Sequence, residues 1–184
     1  MPKIHRAENG TESKGKASGF TLIELMVVIA IIAIMAGISI PWLLSPERRV
    51  KKVGRELIGD MQKARMSAVK RGEPWRIVFD TGAGAYTLRS SEGDGDNNGD
   101  PWDDGDERDV KTVSFSGWAE GVSYGDGCGG AGPVTYGSNI LTFNSQGLCN
   151  AGYAYIQFRS AAYRVGTLST GVIQIHRCAG GTWP

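Results

Sequence analysis

The hydrophobic period of the chain changes twice. Residues 25–46 form a run of 22 without a charge, mostly Ile, Val, Met, Ala and Leu. At about 1.5 Å per residue, a helix of that length spans the roughly 30 Å hydrocarbon core of a bilayer. A helical stripe follows. Val50, Val53, Leu57, Met61, Ala64 and Ala68 recur at steps of three and four, while Arg49, Lys52, Arg55, Glu56, Lys63 and Lys70 lie mostly elsewhere. One apolar stripe implies one buried face, laid against a sheet. The helix is expected to run to about Arg71, with Gly72 as its stop.

Beyond Gly72 the period becomes two. Strands are expected at 75–80, 85–90, 110–116, 139–144, 153–159, 163–168 and 172–177. "DTGAG" reads as a tight loop between the first two, and "STG" joins the last two. Short alternating strands with tight turns argue antiparallel pairing. The fold class is therefore α+β: a long N-terminal α-helix, membrane-spanning in its first half, packed on antiparallel β-sheets. The 27 glycines, mostly beyond Gly72, suit a turn-rich β domain and show no G-x-y period.

Charge sharpens this picture. The totals nearly cancel, 20 Lys+Arg against 19 Asp+Glu, but the signs are segregated. Residues 47–76 carry ten basic against four acidic residues, a net of +6. Residues 92–109 carry nine acidic against one basic, a net of −8. From Tyr153 onward there are three arginines and no acid. Nucleic-acid binding needs a larger basic excess than this.

The N-terminal run has two features foreign to a plain anchor. Glu24 lies at its start, and a carboxylate inside a bilayer costs about 2.5–3.5 kcal/mol on insertion scales. Pro41 lacks an N–H, and its ring clashes with the Gly37 carbonyl, so a kink or local opening is expected there. A cleaved secretory signal does not fit. Its apolar region would stop at about 15 residues and be followed by small residues. Here Ala17, Ser18 and Gly19 come before the run, after Lys14 and Lys16.

The stretch "GFTLIELMVVIAIIAIMAGISIP" resembles the N-terminus of type IV pilins and pseudopilins. That resemblance implies cleavage by a prepilin peptidase between Gly19 and Phe20, on the cytoplasmic side of the inner membrane. Phe20 would become the N-methylated first residue, and Glu24 would pair with the new amine of a neighbouring subunit. The region of Pro41 would open as subunits pack. The implied organisation is a leader at 1–19, a transmembrane and assembly helix at 20–44, an amphipathic stem at 45–72 and a globular β domain at 73–184. Cations flank the run on both sides, so only the resemblance places the globular domain outside the cytoplasm.

Three further stretches narrow the resemblance to the GspH/FimT family of minor pilins and pseudopilins. "LIGDMQKARMSAVKRGEPWRIVF" is similar to the family's stem, with an A-R-x-x-A element before a strand. "ILTFNSQGLCNAGYAYIQF" is similar to its F-x-x-x-G turn between strands. "YRVGTLSTGVIQIHR" is similar to its closing hairpin. The implied function is assembly into a type II secretion pseudopilus or a type IV pilus, with other subunits as partners. An enzyme is not expected, because the mature chain keeps one histidine, His176, and no Ser or Cys has a recognisable base beside it.

Three candidate chemistries remain. Asp94, Asp96, Asn98 and Gly99 fit D-x-D-x-N-G, the opening of a Ca²⁺ loop, with Asp100 offering its carbonyl and Asp104 a further carboxylate. Gly105 stands where the bidentate Glu belongs. A calcium-dependent adhesive module is therefore an alternative reading. Cys128, Cys149 and Cys178 allow one disulfide, permitted outside the cytoplasm. The expected pair is Cys128–Cys149, with Cys149–Cys178 as the alternative. Some family members bind DNA during uptake through a G-R-x-R element. Here Gly171 is followed by Val172, Ile173 and Gln174, which leaves Arg159, Arg164 and Arg177 as candidates for a patch.

Overall fold

The computed structural model describes residues 19–43, 45–91, 102, 107–129 and 132–184, apart from the side chains of 38–43 and 118. Two compact units divide at Trp42 and Leu43. The first holds helix α1, Leu22–Leu43. Its start is set by Thr21, whose Oγ1 accepts the Glu24 N–H at 3.3 Å while its carbonyl accepts from Leu25 at 3.2 Å. Thr followed three residues later by Glu is the pattern of a capping box, and half of that reciprocal pair is formed. Every described side chain from Leu22 to Gly37 is exposed. A helix apolar on all sides needs an apolar surrounding, either lipid or other helices.

The second unit begins with helix α2, Pro46–Arg71. Ser45 is extended at its N-cap, and Pro46 occupies the first turn, where a missing N–H costs nothing. Gly72 closes the helix with φ 75°, its N–H bonding the Ala68 carbonyl at 3.0 Å. The buried stripe contains all six expected apolar residues, and Asp60 with them.

Among the described residues, eight strands form two antiparallel sheets. They are β1 Trp75–Asp80, β2 Ala85–Ser91, β3 Glu107–Ser114, β4 Ser123–Tyr124, β5 Ile140–Phe143, β6 Gly152–Phe158, β7 Ala161–Thr167 and β8 Ile173–Arg177. One sheet has the order β3-β2-β1-β5 and the other β4-β6-β7-β8. Helix α2 packs on members of both. The core between them includes Leu57, Met61, Ile77, Leu88, Leu141, Phe143, Ile156 and Val165, each fully buried. At about 1.5–3 kcal/mol per buried side chain, this stripe and the facing strand residues hold the layers together.

The third strand differs from expectation at both ends. It starts at Glu107 because charges there pair across the sheet: Glu107 with Arg76 and Arg89, and Asp109 with Arg89. It ends at Ser114, where the chain turns into the short helix α3, Phe115–Trp118, and buries Phe115 against Tyr86 and Tyr124. The two-residue β4 was not expected, being too short for alternation to show.

Candidate functional site

A register shift in β3 creates the main polar contact of the second unit. Leu88 pairs with Lys111 and Arg89 with Asp109, so Val110 is the extra residue of a bulge. Val110 stays exposed, and Lys111 reaches α2. Its ammonium bonds both carboxylate oxygens of Asp60, at 2.8 and 2.9 Å, and also Glu56. The Tyr86 hydroxyl donates to Asp60 at 2.7 Å. Burial, then the Asp60 hydrogen bond and charge, push the Tyr86 hydroxyl far above its ordinary pKa. Partial burial pulls the Lys111 pKa down, and the bonds to Asp60 and Glu56 outweigh it, leaving it raised. This network fixes the helix against the first sheet. Its signal in the sequence was a carboxylate between Leu57 and Met61 on the apolar stripe.

The family motifs meet at Arg65. Ala64 and Ala68 are buried, and Arg65 leaves the stripe to donate from Nε to the Gly147 carbonyl at 3.1 Å. Gly147 (φ 76°) sits in the turn after Phe143, where the Asn144 carboxamide oxygen accepts from Gln146 and Leu148 at 3.0 and 2.9 Å. Gly171 (φ 79°), in the β7–β8 turn, packs on the same Gly147 carbonyl and on the Arg65 guanidinium. One arginine thus joins the stem, the F-x-x-x-G turn and the closing hairpin. Beside them, Asn150 imitates a strand. Its Oδ1 accepts from the Thr142 N–H at 2.8 Å and its Nδ2 donates to the Ile140 carbonyl at 2.7 Å, occupying the outer edge of β5.

Gly19 and Phe20 precede α1, with the Phe20 side chain 86% exposed. Glu24 lies in the first turn, where the helix dipole favours a carboxylate. Pro41 falls within α1, and its side chain is outside the described residues. Described side chains cover only 22–37, about 24 Å of helix. Among the described residues, accordingly, no helix is long and apolar enough to cross a membrane.

The cysteine pairing corrects the sequence reading. Cys128 is bonded to Cys178, not to Cys149, with Cα atoms 5.9 Å apart. The reason is topology. Gly125 donates to the Tyr155 carbonyl at 3.0 Å, and Cys178 donates to the Ala162 carbonyl at 3.0 Å, so both cysteines lie over the second sheet. Cys149 bridges to Phe143 beside the first sheet, and its thiol donates to the Leu168 carbonyl at 3.2 Å. It is free.

The three candidate DNA-binding arginines do not share a face. Arg177 pairs with Tyr163 in register and Arg164 with His176, so alternation sends Arg177 and Arg164 to opposite sides of the sheet. Arg177 meets Glu47 at 3.2 Å. Arg164 lies over the rings of Tyr153 and Trp183 (4.7 and 5.3 Å) and donates to the Pro184 carbonyl at 2.6 Å. Arg159 sits in the β6–β7 turn at φ 54°, over Phe158. His176 shares the Arg164 side, and desolvation followed by the Arg164 charge lowers its pKa.

The calcium candidates Asp94, Asp96, Asn98, Asp100 and Asp104 lie outside the described residues. From that segment only Trp102 is described, and the Arg76 guanidinium stacks 4.1 Å from its ring centre. Among the described residues no three His, Cys, Asp or Glu side chains gather as a metal site.

A capped apolar helix, followed by a stem laid across two antiparallel sheets, defines a pilin-type subunit. The chain belongs to the Type II transport protein GspH family, whose profile matches residues 53–171. The prokaryotic N-terminal methylation motif matches residues 14–40. It is a minor pilin or pseudopilin carrying that motif. Pilin-like protein PilA1 of Thermus thermophilus is 38% identical over 72 residues, covering 38% of this chain and 46% of that protein. The type IV wide pilus major component PilA4 of the same organism is 64% identical over 33 residues, 18% of this chain and 25% of that one. The chain therefore spans less than half the length of these curated relatives. In structure it is similar to the minor pseudopilin EpsH of the Vibrio cholerae Type 2 Secretion System: TM-score 0.50, 13% identity, 70% of this chain and 97% of that one. The type IV minor pilin FimU of Pseudomonas aeruginosa gives 0.49 at 14% identity, over 74% and 93%.

Proposed function

We propose that this chain is an assembly subunit, held in the inner membrane and then built into a pseudopilus or type IV pilus. The observation that carries this reading is α1, exposed and apolar on every described side, with Glu24 in its first turn. Prepilin peptidase cuts between Gly19 and Phe20, and Phe20 becomes the methylated N-terminus. The apolar run holds the chain in the membrane, with the second unit outside the cytoplasm. In the filament, lipid is replaced by other subunits' helices, and Glu24 pairs with the Phe20 amine of a neighbour. The pair offsets the cost of a carboxylate in an apolar setting. The work is structural rather than catalytic.

Intact mass spectrometry of the protein from a host with the peptidase tests this reading. Loss of residues 1–19 and one methyl group on Phe20 is the expected result. Retention of Met1 through Gly19 overturns it.

A further inference from the structure

The opening turns of α2 carry a one-sided cationic surface. Between residues 47 and 56 there are five basic side chains and two acidic ones. Both acids are engaged by other elements of the fold. Glu47 accepts from the Tyr163 hydroxyl and pairs with Arg177, each at 3.2 Å, and Glu56 pairs with Lys111. Arg49 turns sideways, donating to the Glu120 carbonyl at 2.8 Å and lying over Phe158. Arg48, Lys51, Lys52 and Arg55 are solvent-exposed, on the side away from Val50, Val53 and Leu57.

We propose that Arg48, Lys51, Lys52 and Arg55 bind the phosphates of anionic phospholipid headgroups on the leaflet where the apolar run ends. This rests on the membrane reading above. Two arguments favour it. Pro46 opens α2 three residues after Leu43 closes α1, so chain continuity delivers these cations to the headgroup layer. Cations on the far side of a span also work against that orientation, and anionic headgroups compensate them. A DNA duplex is a poorer fit, because four cations within about 12 Å of helix fall short of the 6–10 phosphate contacts of a typical site. In the filament these side chains leave the bilayer, so the headgroup contacts hold the subunit back until assembly replaces them.

The test uses the full chain in detergent, offered equimolar phosphatidylglycerol and phosphatidylcholine, with retained lipid read by native mass spectrometry. Phosphatidylglycerol is expected to be preferred. Each cation contributes roughly fivefold, so K51Q/R55Q lowers the preference by roughly 25-fold. K70Q, at the other end of the same helix, leaves it unchanged. Equal retention of both lipids overturns the headgroup surface while leaving the anchor standing. Retention of neither lipid overturns the anchor and this inference with it. Displacement of phosphatidylglycerol by a short DNA duplex at physiological salt would reassign the surface to nucleic acid.

Discussion

Arg65 on the stem helix and Gly147 in a distant turn are joined by one hydrogen bond of 3.1 Å across 82 positions of sequence. A charged donor on a half-buried carbonyl contributes about 1.5 kcal/mol or more. Arg65→Ala should lower unfolding free energy by about that amount in denaturant titration. Arg65→Lys should not restore it, since lysine has no donor at the Nε position. Wild-type stability in R65A would remove the staple.

Gly171 presses on the same point. A Cβ there would overlap the Gly147 carbonyl oxygen, and its backbone is left-handed. Gly171→Ala is expected to cost about 2 kcal/mol or more, beyond the effect of Arg65→Ala. Thermal unfolding of the two single variants checks the order.

The Asp60–Lys111 pair predicts a non-additive cycle. Lys111→Met leaves a buried carboxylate with only Tyr86 as partner, a loss of about 3 kcal/mol. Adding Asp60→Asn should recover part of it, because the stranded charge is then gone. The raised Lys111 pKa sets a direction with pH. Its contribution is complete below about 10.5, the unfolded value, and is lost as pH rises through the folded one. Alkaline unfolding should therefore begin earlier in wild type than the K111M curve, normalised to neutral pH, would suggest.

Cys128–Cys178 closes a separation of 50 residues. Reduction should cost about 2–4 kcal/mol, read as a fall in melting temperature. Without reductant, alkylation of the unfolded chain followed by peptide mapping should label Cys149 alone. A label on Cys178 would refute the pairing.

His176 acts in the opposite pH direction from Lys111. Its folded pKa is lowered, so the unfolded chain takes up a proton more readily. Its contribution is complete above about 6.5 and declines as pH falls below that unfolded value. His176→Gln should flatten the fall in melting temperature between about pH 7 and 5. An unchanged slope would show that His176 is indifferent to folding.

The periodic parts of this fold were legible. The stripe from Val50 to Ala68, and β1 with its hairpin partner, follow from spacing alone. β3 was blurred because its first residues are charged, as edge strands often are, and because the bulge at Val110 reverses the alternation behind it. The disulfide was misread because nearness in sequence stood in for nearness in space. Between Cys128 and Cys149, Val134 bridges to Ala154 on one sheet before the chain enters β5 on the other. The arginine patch failed on parity, since Arg164 and Arg177 are an odd number of steps from facing the same way. Asn150 gave no warning, because an amide that pairs like backbone looks like any loop asparagine.

Helix α2 touches both sheets, and that gives the second unit a mechanical character. Tension applied ahead of Ser45 enters along the helix axis and is shared in parallel, through Asp60 and Lys111 into one sheet and through the Glu47 contacts with Tyr163 and Arg177 into the other. Pulling would have to shear a whole helical face from two layers at once, instead of unzipping a hairpin strand by strand. A subunit built this way resists hauling by its N-terminal end.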